Sequence, residues 1–175
     1  MLYVAYKTGF QSAGISNPGT VPNLTALSMD VANDTLVFDE TTVEGFEFGM
    51  KGRFLDNRMS AEVIAFYFES EDLQVGIFNS NTTTFTLQNA AVALNYGVEM
   101  NTLYQLNESW ELRGGLSYAY LEFDEWEDAG CNSIDTPNTA IGTCFTNALG
   151  ANVQDMSGEA YGGPPLSISI GATYF

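Results

Sequence analysis

The chain has 175 residues, of which 22 are acidic and 5 basic, with no histidine and a net charge of −17. Phosphate recognition needs clustered lysine and arginine, so nucleic acid is excluded as a partner and docking onto an anionic membrane surface is disfavoured. A hydrophobic content of 45% with nine tyrosines and twelve phenylalanines is too apolar for disorder, yet no apolar run is long enough for a transmembrane helix.

The length suits one ordinary domain. Residues 2–8 (LYVAYKT) alternate, with Leu2, Val4 and Tyr6 opposing Tyr3, Ala5 and Lys7. That period of two predicts an extended strand. The first ten residues lack the basic start, long apolar centre and cleavage site of a secretory signal. The expectation is either a chain that stays in the cytoplasm or an internal piece of a longer one.

Residues 43–54 (VEGFEFGMKGRF) place Phe46, Phe48, Met50 and Phe54 on one face, and Glu47, Lys51 and Arg53 on the other. Residues 59–75 (MSAEVIAFYFESEDLQV) are apolar on both faces in their middle, with Glu62 the one charged residue there, so periodicity leaves the facing of the strand at 59–68 open. In 96–106, Tyr96, Val98, Met100, Tyr104 and Leu106 oppose Glu99, Asn101 and Gln105. In 109–123 (SWELRGGLSYAYLEF), Trp110, Leu112, Gly114, Leu116, Tyr118 and Tyr120 oppose Glu111, Arg113, Gly115 and Ser117. In 166–175, Leu166, Ile168, Ile170, Ala172 and Tyr174 oppose Ser167, Ser169, Gly171 and Thr173. Helix is a poor alternative, because the Gly114–Gly115 pair costs about 1 kcal/mol per glycine and β-branched and aromatic residues favour strands.

The connections alternate in length. Short turns rich in Asp, Asn or Ser are expected at 55–58 and 106–109, and longer segments at 10–41, 78–89 and 124–163. All short turns then fall at one end of the sheet and all long loops at the other. Cys131 and Cys144 share one of those loops; they are candidates for a disulfide, worth about 3 kcal/mol by loop entropy, or are two unrelated thiols. The acidic residues gather at the long-loop end, where FDEWED (123–128) is either a divalent-cation site or a solvated loop base without calcium-loop spacing.

A soluble sandwich alternates too, so the cover of the apolar face decides the function. Aromatic residues lie near both ends of that face, with Phe54, Tyr104 and Trp110 by the short turns and Tyr6, Tyr96, Tyr118 and Tyr120 toward the long loops. Such belts, with loops of about 30–40 residues on one side only, suit a bilayer. Lys7, Lys51, Arg53 and Arg113 all take the polar face, and Arg58 a short turn. A lipid-facing Lys or Arg at the midplane costs about 2–4 kcal/mol. Phe46, Phe48, Met50, Val98, Met100, Leu112, Leu116, Ile168 and Ile170 are therefore the lipid-facing candidates, and Lys51, Arg53, Glu99, Asn101, Glu111 and Arg113 the lumen-facing ones. No catalytic constellation, cofactor motif or metal-ligand spacing stands out, so no enzyme, cofactor or metal is expected.

Four stretches (3–15, 43–75, 89–123 and 157–175) together resemble the barrel of TonB-dependent outer-membrane receptors. They carry the pattern Tyr3, Tyr6, Gly9, Phe10, Ser12 and Gly14, with Ala5 and Ala13 at positions where the family has Ser and Gly. They also carry the hairpin Glu47, Gly49, Lys51, Asp56 and Arg58, and the group Asn89, Ala90, Gly97, Val98 and Glu99. The resemblance implies an all-β, antiparallel transmembrane barrel of about 22 strands, plugged by an N-terminal domain. It further implies a Gram-negative outer membrane as location, lipid and TonB as partners, and uptake of scarce solutes such as siderophore-iron, cobalamin or oligosaccharide. The short turns would face the periplasm. About six strands cannot close such a barrel, nothing in the chain resembles a plug, and Phe175 lacks the terminal-strand pattern, so the chain is expected to be an internal fragment, 1–175 being part of the barrel domain. Two other readings remain: a passive porin, and a secreted β-sandwich adhesin whose apolar face is an internal core. The solute cannot be named from these residues.

Overall fold

Strands form wherever the period of two runs, and they run further than the sequence suggests. The structure is a computed structural model that describes residues 1–16, 37–79, 84–131, 144–146 and 152–175, with the backbone alone at 77–79, 84–86, 88 and 90. In chain order the strands are β1 (Leu2–Gln11), β2 (Gly14–Ile15), β3 (Val37–Phe38), β4 (Thr41–Phe54), β5 (Met59–Asn79), β6 (Thr84–Asn107), β7 (Trp110–Glu125), β8 (Ala129–Gly130), β9 (Phe145–Thr146), β10 (Asn152–Gln154) and β11 (Leu166–Tyr174). β1, β4, β5, β6, β7 and β11 form one six-stranded antiparallel sheet in that order, so each long strand lies beside the next along the chain. Among the described residues this sheet is open, with β1 and β11 as its edges.

Two expectations about connections are corrected. The segment 78–89 is not a loop of that length: β5 and β6 reach 21 and 24 residues and leave only 80–83 between them. The segment 124–163 is not without regular structure, since β8, β10 and β9 make a small three-stranded sheet within it. β2 and β3 likewise pair inside the first long connection.

The two short turns have local chemical causes. At 55–57, Leu55, Asp56 and Asn57 all take positive φ, between 55° and 67°, and the Arg58 amide donates to the Leu55 carbonyl at 3.1 Å. Asp and Asn tolerate that left-handed region better than most residues. At the second turn, Asn107 Oδ1 accepts the amides of Ser109 (2.9 Å) and Trp110 (3.0 Å), an Asx turn that closes the β6–β7 hairpin.

Ladder register settles what periodicity left open in β5. Met59, Val63, Ala65 and Tyr67 pair with Phe54, Met50, Phe48 and Phe46 on one side and with Tyr104, Met100, Val98 and Tyr96 on the other. Directly paired residues project to the same face of a sheet, so the odd positions of β5 join the apolar face. Ser60, Glu62, Ile64, Phe66 and Phe68 take the opposite one.

Candidate membrane-facing site and inner wall

Across the six-stranded sheet the apolar side chains line up in continuous rows. One row runs Leu2, Met50, Val63, Met100, Leu116, Ile168, and the next runs Val4, Phe48, Ala65, Val98, Tyr118, Leu166. Above them lies Tyr6, Phe46, Tyr67, Tyr96, Tyr120, whose neighbouring rings sit 5.0–6.2 Å apart where they pair. At the short-turn end, Trp110 packs against Tyr174 at 5.1 Å, near Phe54 and Tyr104. From Trp110 to Tyr120 the strand rises ten residues, which at strand geometry and a barrel's tilt is about 25 Å.

Most of these side chains are exposed, from Met100 at 37% to Ile170 at 87%. Soluble monomers rarely leave a contiguous apolar patch beyond a few hundred Å² uncovered, and this one crosses all six strands. None of the described elements covers it. The next row above the tyrosines runs Thr8, Glu44, Glu69, Leu94, Glu122. Tyr6 Oη donates to Glu44 at 2.6 Å and Tyr96 Oη to Glu122 at 3.4 Å, so phenol–carboxylate contacts mark the end of the apolar band at two places.

The opposite face is mixed. Glu47 accepts the Tyr3 hydroxyl at 2.7 Å and the Lys7 ammonium, Lys51 lies 3.5 Å from Glu62, and Arg113 bonds Glu111 at 2.8 Å. The Tyr3 ring lies so close over Gly49 that a Cβ there would come within 2.0 Å of it, and at Gly45 a Cβ would come within 2.1 Å of the Tyr67 carbonyl oxygen and 2.6 Å of the Phe68 ring. Glycine is required at both positions, at Gly49 because an aromatic ring fills the space of its side chain and at Gly45 because the neighbouring strand's backbone does. Toward the short turns, Lys51, Arg53, Ser60, Glu62, Asn101 and Arg113 help line a shallow concavity of about 830 Å³. Higher up, Ile64, Phe66, Phe68 and Leu121 share the face, which is therefore not uniformly polar.

At the long-loop end a polar clamp ties the first connection to the sheet. A bulge between Ser70 and Leu73 places Asp72 at φ 53°, and the buried Thr41 hydroxyl donates to the Asp72 carbonyl (2.8 Å) while accepting the Gln74 amide (3.1 Å). The Gln74 side chain donates to the carbonyls of Ser12 and Asp39, and that of Asn89 to the carbonyls of Asp39 and Asp72. The buried Ser16 hydroxyl donates to the Leu87 carbonyl and accepts the Leu87 amide.

On the far side, the chain leaving β7 folds back as a lobe packed on a small core of Ala91, Ala93 and Phe123 with Leu73, Trp126, Met156 and Tyr161. Burial raises the Tyr161 phenol above the ordinary tyrosine range. A disulfide joins Cys131 to Cys144, with Cα atoms 5.8 Å apart, at the edge of the β8–β10–β9 sheet. FDEWED shows no metal-ligating group: among the described residues, no three His, Cys, Asp or Glu side chains converge.

A family description for "TonB dependent receptor-like, beta-barrel" matches residues 1–175. The chain belongs to that family. Two solved structures share this receptor-barrel fold. The crystal structure of the ferric yersiniabactin uptake receptor FyuA from Yersinia pestis aligns with a TM-score of 0.50 at 19% identity, covering 70% of this chain and 16% of that one. A chain of the RagAB peptide importer in its closed-closed state aligns with a TM-score of 0.51 at 15% identity, covering 99% of this chain and 25% of that one. No curated protein matches. The chain thus spans a quarter or less of the receptor chains it resembles, and the open edges at β1 and β11 suit a section of such a barrel.

Within this receptor section, Phe46, Phe48, Met50, Val98, Met100, Leu112, Leu116, Ile168 and Ile170 all lie on the one exposed apolar face. Lys51, Arg53, Glu99, Asn101, Glu111 and Arg113 all lie on the other. The clamp of Thr41, Gln74 and Asn89 escaped sequence reading. Its residues are ordinary strand polars, and only the bulge at Asp72 brings them together.

Proposed function

We propose that this chain is a section of the transmembrane barrel of an outer-membrane uptake receptor, energised through TonB, that imports a scarce solute of the siderophore-iron, cobalamin or oligosaccharide kind. In this reading residues 1–175 are part of the barrel domain, the remaining strands and an N-terminal plug belong to the parent receptor, and the short turns face the periplasm. Hydrocarbon covers the face carrying Phe46, Phe48, Met50, Val98, Met100, Leu112, Leu116, Ile168 and Ile170. Lys51, Arg53, Glu99, Asn101, Glu111 and Arg113 face the lumen. The carrying observation is the uncovered apolar face, about 25 Å tall and edged by aromatic rings at both ends, from which every described Lys and Arg of the strands is absent.

A passive porin is the second reading, and the inner wall disfavours it. A water-filled channel is lined by polar side chains, whereas Ile64, Phe66, Phe68 and Leu121 stand together on the lumenal face. Apolar groups there favour a protein body packed in the lumen. A sandwich adhesin would need a second sheet over the apolar face.

The test is labelling of the parent receptor in vesicles with a photoactivatable probe confined to the acyl chains. Adducts are expected at Leu112, Leu116 and Ile168 and not at Ser167, Ser169 or Arg113, together with heat-modifiable migration on a denaturing gel. Probe-free Leu116 and Ile168 in a folded receptor would end the reading.

A further inference from the structure

The β5–β6 ladder breaks on both sides of Leu73, and the two breaks cancel. Between the pairs Ser70–Ala93 and Leu73–Ala91, two residues of β5 oppose one of β6; between Leu73–Ala91 and Gln74–Asn89, β6 has one extra residue, Ala90, opposed by none. Beyond them the ladder resumes the register it holds from Met59–Tyr104 to Ser70–Ala93. An unbroken ladder between the same ends would therefore pair Glu71 with Val92, Asp72 with Ala91 and Leu73 with Ala90. Paired residues project to the same face of a sheet, so the two arrangements differ in what stands beside Ala91. In the structure it is Leu73, which joins Ala91, Ala93 and Phe123 in the core under the lobe, while Asp72 stays exposed at φ 53°. In the unbroken ladder it would be the Asp72 carboxylate.

Each arrangement has its own cost. The unbroken ladder keeps its hydrogen bonds and relieves the left-handed backbone at Asp72, but it sets a carboxylate against an apolar core. The bulged ladder is held open by side chains: Thr41 and Asn89 donate to the Asp72 carbonyl, and Thr41 accepts the Gln74 amide. Those holders are seated on the first long connection. The Asp39 carbonyl accepts the side chains of Gln74 and Asn89, the Asp39 amide donates to Asn89 Oδ1 at 2.6 Å, and Gln74 also reaches the Ser12 carbonyl. The Leu73–Ala91 pair thus belongs to the lobe and the next pair, Gln74–Asn89, to the first connection.

We propose that these compensating bulges are a two-state joint that couples the two long connections. With Ser12 and Asp39 seated, Leu73 turns into the core and the lobe docks. With them withdrawn, the ladder straightens, Asp72 takes the place of Leu73 and the lobe loosens. Coupling between two sites is reciprocal, so a docked lobe also favours the seated first connection. A solute touching either connection shifts both. The joint goes beyond the uptake reading and stands whichever solute is carried.

The experiment reads amide exchange at Val153 and Tyr161, both in the lobe, in the full-length receptor in detergent micelles. Thr41→Val takes the hydroxyl out of the joint and is expected to speed exchange at both amides about tenfold, the scale of one lost buried hydrogen-bond partner. In a Leu73→Ala background the joint has nothing to deliver, so Thr41→Val should add less than about twofold. Leu73→Cys reports the state directly, with the Cys131–Cys144 disulfide left oxidised. Its thiol should react with a bulky maleimide about tenfold faster when Thr41→Val is added. Heat-modifiable migration checks that each barrel is folded; should Thr41→Val fail that check, Asn89→Ala carries the same expectations. Unchanged lobe exchange in a folded variant, with the effect confined to the Gln74 amide, overturns the inference. So does full additivity of Thr41→Val and Leu73→Ala, which would mean that the lobe loosens by a route that bypasses the joint.

Discussion

Phe123 of β7 and Tyr161 of the returning chain stack with ring centroids 4.4 Å apart and planes inclined by 16°, and the Tyr161 amide donates to the Leu121 carbonyl at 3.0 Å. Trp126 meets the same phenylalanine edge-on at 4.6 Å. This three-ring cluster fastens the long-loop lobe to the sheet. Phe123 is only 7% exposed, and its truncation to Ala is expected to cost about 3–5 kcal/mol. The loss should be local: amide exchange at Ala129 and Val153 accelerates, while heat-modifiable migration of the receptor barrel is unchanged.

The disulfide acts on the same lobe. Cys131 and Cys144 are 13 residues apart, and reduction removes about 3 kcal/mol by the loop-entropy model. Thiol titration under denaturing conditions should find no free thiol before reductant and two after it. Reduction should loosen the β8–β10–β9 sheet without moving β7 or β11.

Thr41 is 6% exposed and satisfies both the Asp72 carbonyl and the Gln74 amide. Thr41→Val keeps the shape and strands the Gln74 amide, at about 1–3 kcal/mol if it finds no water, while the Asp72 carbonyl keeps its bond from the Asn89 side chain at 2.7 Å. Faster exchange of the Gln74 amide checks it. Thr41→Ser should be nearly neutral, since it retains the hydroxyl.

Leu116 and Ile168 are directly paired at mid-height of the apolar band, and Ser169 is the adjacent position on the other face. In vesicles, Leu116→Arg is expected to destabilise the receptor by about 2–4 kcal/mol, and Ser169→Arg by much less. The measurement is the urea midpoint of heat-modifiable folding. Equal costs at the two positions would mean that hydrocarbon does not cover this face.

The lobe also carries a pH dependence of definite sign. Hydrogen bonds from the Ser157 side chain and backbone amide hold the Asp155 carboxyl below the ordinary aspartate range. A carboxyl whose folded pKa is depressed stabilises the fold above its unfolded pKa of about 3.9, and that contribution disappears as pH falls through the folded value. Ser157 in turn accepts the Trp126 amide at 2.9 Å. Tryptophan emission should therefore report loosening of the lobe below about pH 4, and Asp155→Asn should flatten that transition.

Strand identity, and the sorting of residues such as Met50 from Lys51 or Leu116 from Ser117, was legible in the sequence because side chains alternate faces with a period of two. Both short turns were legible for the same local reason: Asp56, Asn57 and Asn107 supply the left-handed backbone and the side-chain acceptor that tight turns require. The facing of β5 was not, since Ile64 and Val63 are equally apolar and only pairing with Glu99 and Met100 separates them. The reach of β5 and β6 past residue 75 was equally hidden: the expected loop at 78–89 takes in Thr84–Gln88, which becomes strand by pairing with Val75–Asn79. The clamp of Thr41, Gln74 and Asn89 and the stack of Phe123 on Tyr161 join residues 17 or more positions apart, all but one contact 30 or more. Period and turn chemistry are local properties of a chain, so they were settled residue by residue; register, bulges and long-range side-chain contacts depend on which segment lies alongside, and only the assembled sheet decided them.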